Sequence, residues 1–148
     1  MKFDGKTMFG AFPLLALPVL AYNLIALTLA GGFGAIDAGD KIVVALFKIR
    51  AASGGMWAVS PADLLLSASL VVLFIELIKS TANRRIAIVN HSLSMLLFVG
   101  CLVELLLAPA FATSAFFLIT LMVFLDVLAG FIVTIVSARR EMDVVTDQ

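Results

Sequence analysis

Three acidic residues and one histidine lie within long apolar stretches of this 148-residue chain. Glu76, Glu104 and Asp126 each belong to a different stretch, and His91 shares the stretch of Glu104. Acidic groups are costly in an apolar environment and are candidates for function there. Burial can also bring carboxyl and imidazole groups into the range where they exchange protons near neutral pH. A proton or cation relay through Glu76, His91 and Asp126 is therefore one function to consider.

Helical spacing places the polar residues of each stretch on one face. With about 100° of rotation per residue, one stripe holds Asn90, Ser94, Cys101 and Glu104. The same arithmetic groups Ser69, Glu76 and Ser80 on one helix, and Asp126, Gly130 and Ser137 on another. Polar and small residues on such faces also hold membrane helices together. The alternative to a relay is thus a purely structural role.

The depth of these residues in the membrane, judged from their positions along the predicted helices, predicts two side-chain pairs. Glu76 and His91 are equidistant from the turn at 81–85, so we expect them to meet if their faces turn together. Asn23 and Glu104 both lie toward the outer ends of their helices and form a second predicted polar cluster. For Glu76 the alternative is a pair with Lys79, at i+3, close to the membrane surface.

The composition places these residues in a membrane protein. Apolar residues make up 63% of the chain and charged residues 14%, whereas soluble domains have roughly 45–50% and about 25%. Charged residues delimit four apolar stretches near 8–30, 61–80, 86–107 and 113–137, and a helix needs ~20 residues to cross a bilayer. We therefore predict an all-α integral membrane protein, with residues 1–148 forming one four-helix domain.

Local signals mark several helix ends. Ser60-Pro61-Ala62-Asp63 has the pattern of a helix start, with a capping residue, a proline and an acidic residue three positions on. The third span is expected to end before Pro109, and the fourth at Arg139–Arg140.

The outer loop at 31–60 is too long for a plain connection and is expected to have its own structure. Lys41–Arg50 is rich in β-branched and aromatic residues and predicts a strand, with Met56–Val59 as its partner. We expect a small β-hairpin there, and the alternatives are an irregular loop or an interfacial helix. The candidate contact residues for a partner or for lipid headgroups are Phe47, Trp57, Lys48 and Arg50.

The order of these elements, a helix, an outer strand-rich loop and three further helices, is similar to that of the claudins. The loop contains Gly55-Met56-Trp57, where claudins have Gly-Leu-Trp, but it lacks their pair of cysteines. The resemblance is one of topology, and no barrier function is carried over from it.

The distribution of Lys and Arg predicts the orientation, because positively charged loops stay in the cytoplasm. Of ten such residues, only Lys41, Lys48 and Arg50 fall in the predicted outer loop. Both termini are therefore expected in the cytoplasm, and the location is expected to be a bacterial inner membrane. A cleaved signal peptide ending near Ala30 is the alternative, although the first apolar stretch exceeds the usual 7–15 residues of a signal core.

Several classes of function are excluded or demoted. Ten basic and ten acidic residues leave no excess of positive charge for nucleic acid. One histidine and one cysteine exclude haem held by two imidazoles, a three-histidine zinc site and an internal disulfide. No cofactor or metal is expected, although a single pigment or haem ligand through His91 stays open.

The sequence thus favours a non-enzymatic multi-pass protein of the inner membrane. Its expected role is that of a structural or accessory subunit, in a homo-oligomer or with another membrane protein. One alternative is a small proton- or cation-linked transporter or channel subunit. The other is a membrane enzyme or cofactor carrier using His91 and Glu104.

Overall fold

The computed structural model describes the backbone of residues 10–28, 31–80 and 84–146 and the side chains of residues 10–28, 31–80 and 87–136. The protein is mostly helical, with one two-stranded sheet. In chain order the elements are α1 (Ala16–Thr28), α2 (Ala38–Ile42), β1 (Phe47–Arg50), β2 (Met56–Val59), α3 (Pro61–Ser80), α4 (Arg84–Leu107), a 3₁₀ turn (Pro109–Phe111) and α5 (Ser114–Thr146).

Within the described residues, three helical segments are long and apolar enough to cross a membrane, namely Pro61–Ser80, Ala87–Leu107 and Ser114–Val136. The segment in α5 is the central one, since 39% of its most apolar window is buried inside the protein, against 17% for each of the other two. α5 packs against both α3 and α4, which contact each other less. The remaining apolar surface faces outward, and a bilayer rather than water is the solvent that suits it.

The first apolar stretch, predicted as a membrane span over 8–30, is not a continuous helix. Within its described part, residues 10 and 11 are helical, the chain then turns through Phe12–Leu15, and α1 begins at Ala16. Pro13 explains the break, because proline lacks an N–H donor and its ring clashes with a continuing helix. The 13 residues of α1 extend about 20 Å at 1.5 Å per residue.

The predicted hairpin is present, but its first strand is shorter than Lys41–Arg50. β1 and β2 are antiparallel, with Phe47 opposite Val59 and Arg50 opposite Met56. The chain turns through Gly54, whose φ of +86° favours glycine.

The start of the predicted strand is instead the helical turn α2. Ala38 and Ile42, four residues apart, are both buried, so the 3.6-residue period prevails over the strand propensity of this segment. On the exposed side of the turn, Lys41 lies 2.8 Å from Asp37. Its hydrogen bond lowers the pKa of the Asp37 carboxyl.

The ends of the long helices agree with the sequence except at the C-terminal end. The start signal of α3 is a capping box, in which Ser60 donates to Asp63 from its backbone N (2.9 Å) and Oγ (2.6 Å). α4 ends at Leu107, as expected from Pro109. The apolar segment of α5, Ser114–Val136, agrees with the predicted fourth span, and the helix itself continues past Arg139–Arg140 to Thr146. Arginine is a good helix former, and a charged pair that ends an apolar span need not end the helix.

Candidate functional site: polar clusters between the helices

Glu76 is the centre of a buried ionic cluster between α1, α3 and α4. Its side chain has no solvent exposure. Carboxylate Oε1 lies 2.7 Å from Lys79 Nζ and accepts a hydrogen bond from Asn90 Nδ2 at 2.7 Å. Oε2 accepts a hydrogen bond from the backbone N–H of Leu14. Both carboxylate oxygens are therefore engaged by donors.

Lys79 completes the same cluster. Its ammonium donates to the backbone oxygen of Phe12 at 2.5 Å and to Asn90 Oδ1 at 3.2 Å. Phe12 and Leu14 flank Pro13, where the helix before α1 is broken. Backbone groups freed by such a break need partners when no water surrounds them, and the Glu76–Lys79 pair supplies both a donor and an acceptor. The pair at i+3 expected for Glu76 exists, but it is buried rather than at the surface.

A second buried contact joins α4 to α5. Ser94 Oγ donates to Asp126 Oδ2 at 2.6 Å, and the two residues are 0% and 3% exposed. Ser94 lies one helical turn after Asn90, so the Glu76 cluster and Asp126 form neighbouring layers. The polar stripe predicted on α4 therefore faces the interior at Asn90, Ser94 and Cys101.

His91 does not meet Glu76, and that expectation was wrong. Consecutive residues on a helix point about 100° apart, so Asn90 faces Glu76 while His91 turns toward α5. Its ring packs edge-on against Phe131, with centroids 4.6 Å apart. Both ring nitrogens are buried, and neither has a hydrogen-bond partner within the described part of the chain.

The pairing of Asn23 with Glu104 is confirmed. Asn23 Nδ2 donates to Glu104 Oε2 at 3.2 Å and to the Val19 carbonyl at 3.1 Å. This contact ties α1 to α4 on a level different from that of Glu76. Glu104 and Asn90 are 14 residues apart on α4, which is about 21 Å of helix.

The sequence reasoning did not find the role of Tyr22. Its hydroxyl lies 2.6 Å from Thr113 Oγ1 and donates to the Ala110 carbonyl at 3.2 Å. Its ring packs against Phe111 and Phe116. The only available signal was general, namely that a buried tyrosine needs a partner for its hydroxyl. Thr113 also accepts a hydrogen bond from the Phe116 N–H and so caps α5.

The hairpin presents two different faces. Cross-strand partners share a face, which places Phe47, Ile49 and Trp57 on one side and Lys48 and Arg50 on the other. Trp57 is 60% exposed and Phe47 49% exposed. The hairpin therefore has one aromatic face and one positively charged face.

The described side chains contain no group of three His, Cys, Asp or Glu residues that could hold a metal ion. Cys101 is buried. Compared with known protein families, characterised proteins and solved structures, the chain matches none. The chemistry of the polar clusters is therefore the basis for a functional proposal.

Proposed function

We propose that this chain is a non-enzymatic multi-pass membrane protein that acts as a structural or accessory subunit. It assembles either with copies of itself or with another membrane protein. The proposed location is a bacterial inner membrane, with both termini on the cytoplasmic side and the hairpin outside.

The observation that carries the structural role is that donors of this chain engage both carboxylate oxygens of Glu76. A carboxylate that relays protons or binds substrate must offer an oxygen to the incoming group. Both oxygens of Glu76 already accept from Lys79, Asn90 and the Leu14 N–H. The cluster therefore acts as an internal brace that holds the broken segment before α1 against α3 and α4.

The proposed architecture has four crossings, with α1 and the helical residues before Pro13 as the first. α1 alone is shorter than the bilayer core of about 30 Å. The break at Pro13 is tolerated at membrane depth because Glu76 and Lys79 satisfy its backbone. Tyr22 and Asn23 attach the middle of α1 to the 3₁₀ turn and to α4.

The hairpin is the proposed surface of assembly. An isolated two-stranded hairpin is marginally stable at best in water, and this one exposes Phe47, Ile49 and Trp57 together. Aromatic residues of this kind are enriched in protein interfaces. Packing against a partner would cover them and stabilise the hairpin.

The test is extraction of the tagged chain from its native membrane in a mild detergent, with mass spectrometry of the eluted complex. We expect a stoichiometric assembly that Trp57→Ala dissociates. Phe74→Ala is the matched control, because Phe74 is an aromatic residue with a similar 64% exposure that lies on α3 rather than on the hairpin. Elution as a monomer, or an assembly equally insensitive to both variants, would contradict the proposal.

A further inference from the structure

We propose that His91 and Asp126 form a hydrated proton-exchange site, in which one water molecule bridges the imidazole and the carboxyl group. The site lies between α4 and α5 and is separate from the Glu76 brace. It would give the protein an activity beyond a purely structural role.

The first observation is the state of the His91 ring. Neutral imidazole carries one donor and one acceptor nitrogen, and a buried polar group without a hydrogen-bond partner destabilises the folded state. Within the described residues, neither His91 nitrogen has a hydrogen-bond partner although both are buried. This contrasts with Glu76, whose two oxygens are both engaged.

The second observation is a small cavity at the ring. It lies between three helices, and its lining combines the polar residues Ser80, Asn90, His91, Asp126 and Thr134 with three small or apolar residues. Its volume of about 10 Å³ is near the minimum for one water, and a polar lining with two to four partners is what a buried water requires. The cavity adjoins the last residue of α3 and the exposed Thr134 of α5, which places it near one end of the bundle.

The exchange step balances without any further reactant. The O–H bond of a protonated Asp126 breaks and its proton moves to the water, while the water gives one of its own protons to a His91 nitrogen. The products are a carboxylate, an imidazolium and the same water molecule. The reverse step restores the neutral pair.

The charged groups around the site leave His91 and Asp126 as the pair that exchanges the proton. Asp126 interacts electrostatically with His91 of α4 and with Glu76 and Lys79 of α3. Glu76 and Lys79 are bound to each other at 2.7 Å and their charges largely cancel. Ser94 donates to only one oxygen of Asp126, at 2.6 Å, and the structure assigns the bridging water to the other.

Gly130 makes the position of the ring possible. A Cβ added at Gly130 would lie 2.1 Å from His91 Nδ1 and 2.6 Å from its Cγ. Any larger residue therefore displaces the ring from the cavity. At Gly100, on α4, an added Cβ meets nothing within 4 Å, which makes Gly100→Ala a matched control.

The test uses nitrogen-15 NMR of the full chain in lipid nanodiscs with labelled histidine. Because the chain has one histidine, its ring signals belong to His91 alone. In the unmodified protein we expect magnetisation transfer between the ring nitrogens and water. The rate of this transfer reports how fast the ring exchanges protons with the water beside it.

Three variants then separate the proposal from a passive buried histidine. Asp126→Asn keeps an acceptor for Ser94 but lacks the carboxyl group that exchanges a proton, so the transfer between the ring and water should slow. Gly130→Ala should abolish the water transfer, whereas Gly100→Ala should preserve it. Ring signals of the unmodified protein that lack water transfer would overturn the proposal, as would an unchanged rate of transfer in folded Asp126→Asn.

Discussion

At the scale of single residues, buried polar groups divide into those that brace the helices and one that lacks a partner. The Glu76 carboxylate pairs with Lys79 and accepts hydrogen bonds from the Asn90 amide and a backbone N–H. Asp126 and Glu104 each hold one partner side chain from another helix. Only His91 has buried side-chain nitrogens without a partner among the described residues, and that difference separates the proposed brace from the proposed proton site.

Removal of the Glu76 carboxylate should strongly destabilise the protein. Glu76→Ala leaves Lys79, Asn90 and the Leu14 N–H without their acceptor, and breaking a buried ion pair costs about 3–5 kcal/mol. The free energy of unfolding in mixed detergent micelles measures this loss. Ser67→Ala on the same helix is the control, because its exposed hydroxyl bonds only to the Asp63 carbonyl and surface changes stay within about 0.5 kcal/mol. Equal stability of the two variants would show that the cluster is not a brace.

Helical geometry decided which residue pairs could be predicted from sequence. The depth of Asn23 and Glu104 along their spans was enough to pair them, because each is a long polar side chain with few rivals at that level. The same reasoning failed for Glu76 and His91, since equal depth does not fix rotation about the helix axis. The neighbouring residue Asn90, rather than His91, contacts Glu76.

At the scale of elements, the broken helix and the capped helix illustrate two ways of satisfying backbone groups. At the break at Pro13, side chains of another helix bond the free backbone groups: Glu76 accepts from the Leu14 N–H and Lys79 donates to the Phe12 carbonyl. At the start of α3, Ser60 and Asp63 bond each other's backbone N–H groups with their own side chains. A local pattern could be predicted from four consecutive residues, whereas the long-range partners of Pro13's neighbours had no signal in the sequence around them.

Loss of the α3 cap should have a moderate effect. Ser60→Ala removes the Oγ that accepts from the Asp63 N–H and donates to its carboxylate. Replacing a capping serine by alanine typically costs about 1 kcal/mol. Thermal unfolding followed by circular dichroism should place Ser60→Ala below both the unmodified protein and Ser67→Ala. A Ser60→Ala protein as stable as Ser67→Ala would mean that the capping box contributes little.

The predicted and observed boundaries of two elements differ, because residue types alone were used to place them. The segment from Lys41 looks like a strand by composition, but burial of Ala38 and Ile42 at helical spacing makes its start a turn of helix. In this case the residue types were informative and the packing decided the boundary. In α5 the pair Arg139–Arg140 was predicted to end the apolar span, and the helix continues beyond it to Thr146.

At the scale of the whole molecule, the proposals depend on where the ends and the hairpin lie relative to the bilayer. Three apolar helices separate the hairpin from the end of α5, and the proposal that all three cross the bilayer puts those two points on opposite sides. The N-terminus lies on the same side of the membrane as the end of α5 only when α1 and the segment before it also cross the bilayer. A fourth crossing returns both termini to one side, as the distribution of Lys and Arg favours.

The most direct test of this architecture is cysteine labelling in intact cells with a membrane-impermeant maleimide. The native Cys101 is buried and is replaced by alanine to remove background, and single cysteines are introduced as Lys6→Cys, Lys48→Cys and Thr146→Cys. We predict that Lys48→Cys alone is labelled from outside, and that the other two react only after permeabilisation. Labelling of Lys6→Cys together with Lys48→Cys would show that the first segment does not cross. Labelling of Lys48→Cys and Thr146→Cys from the same side would contradict the membrane architecture altogether.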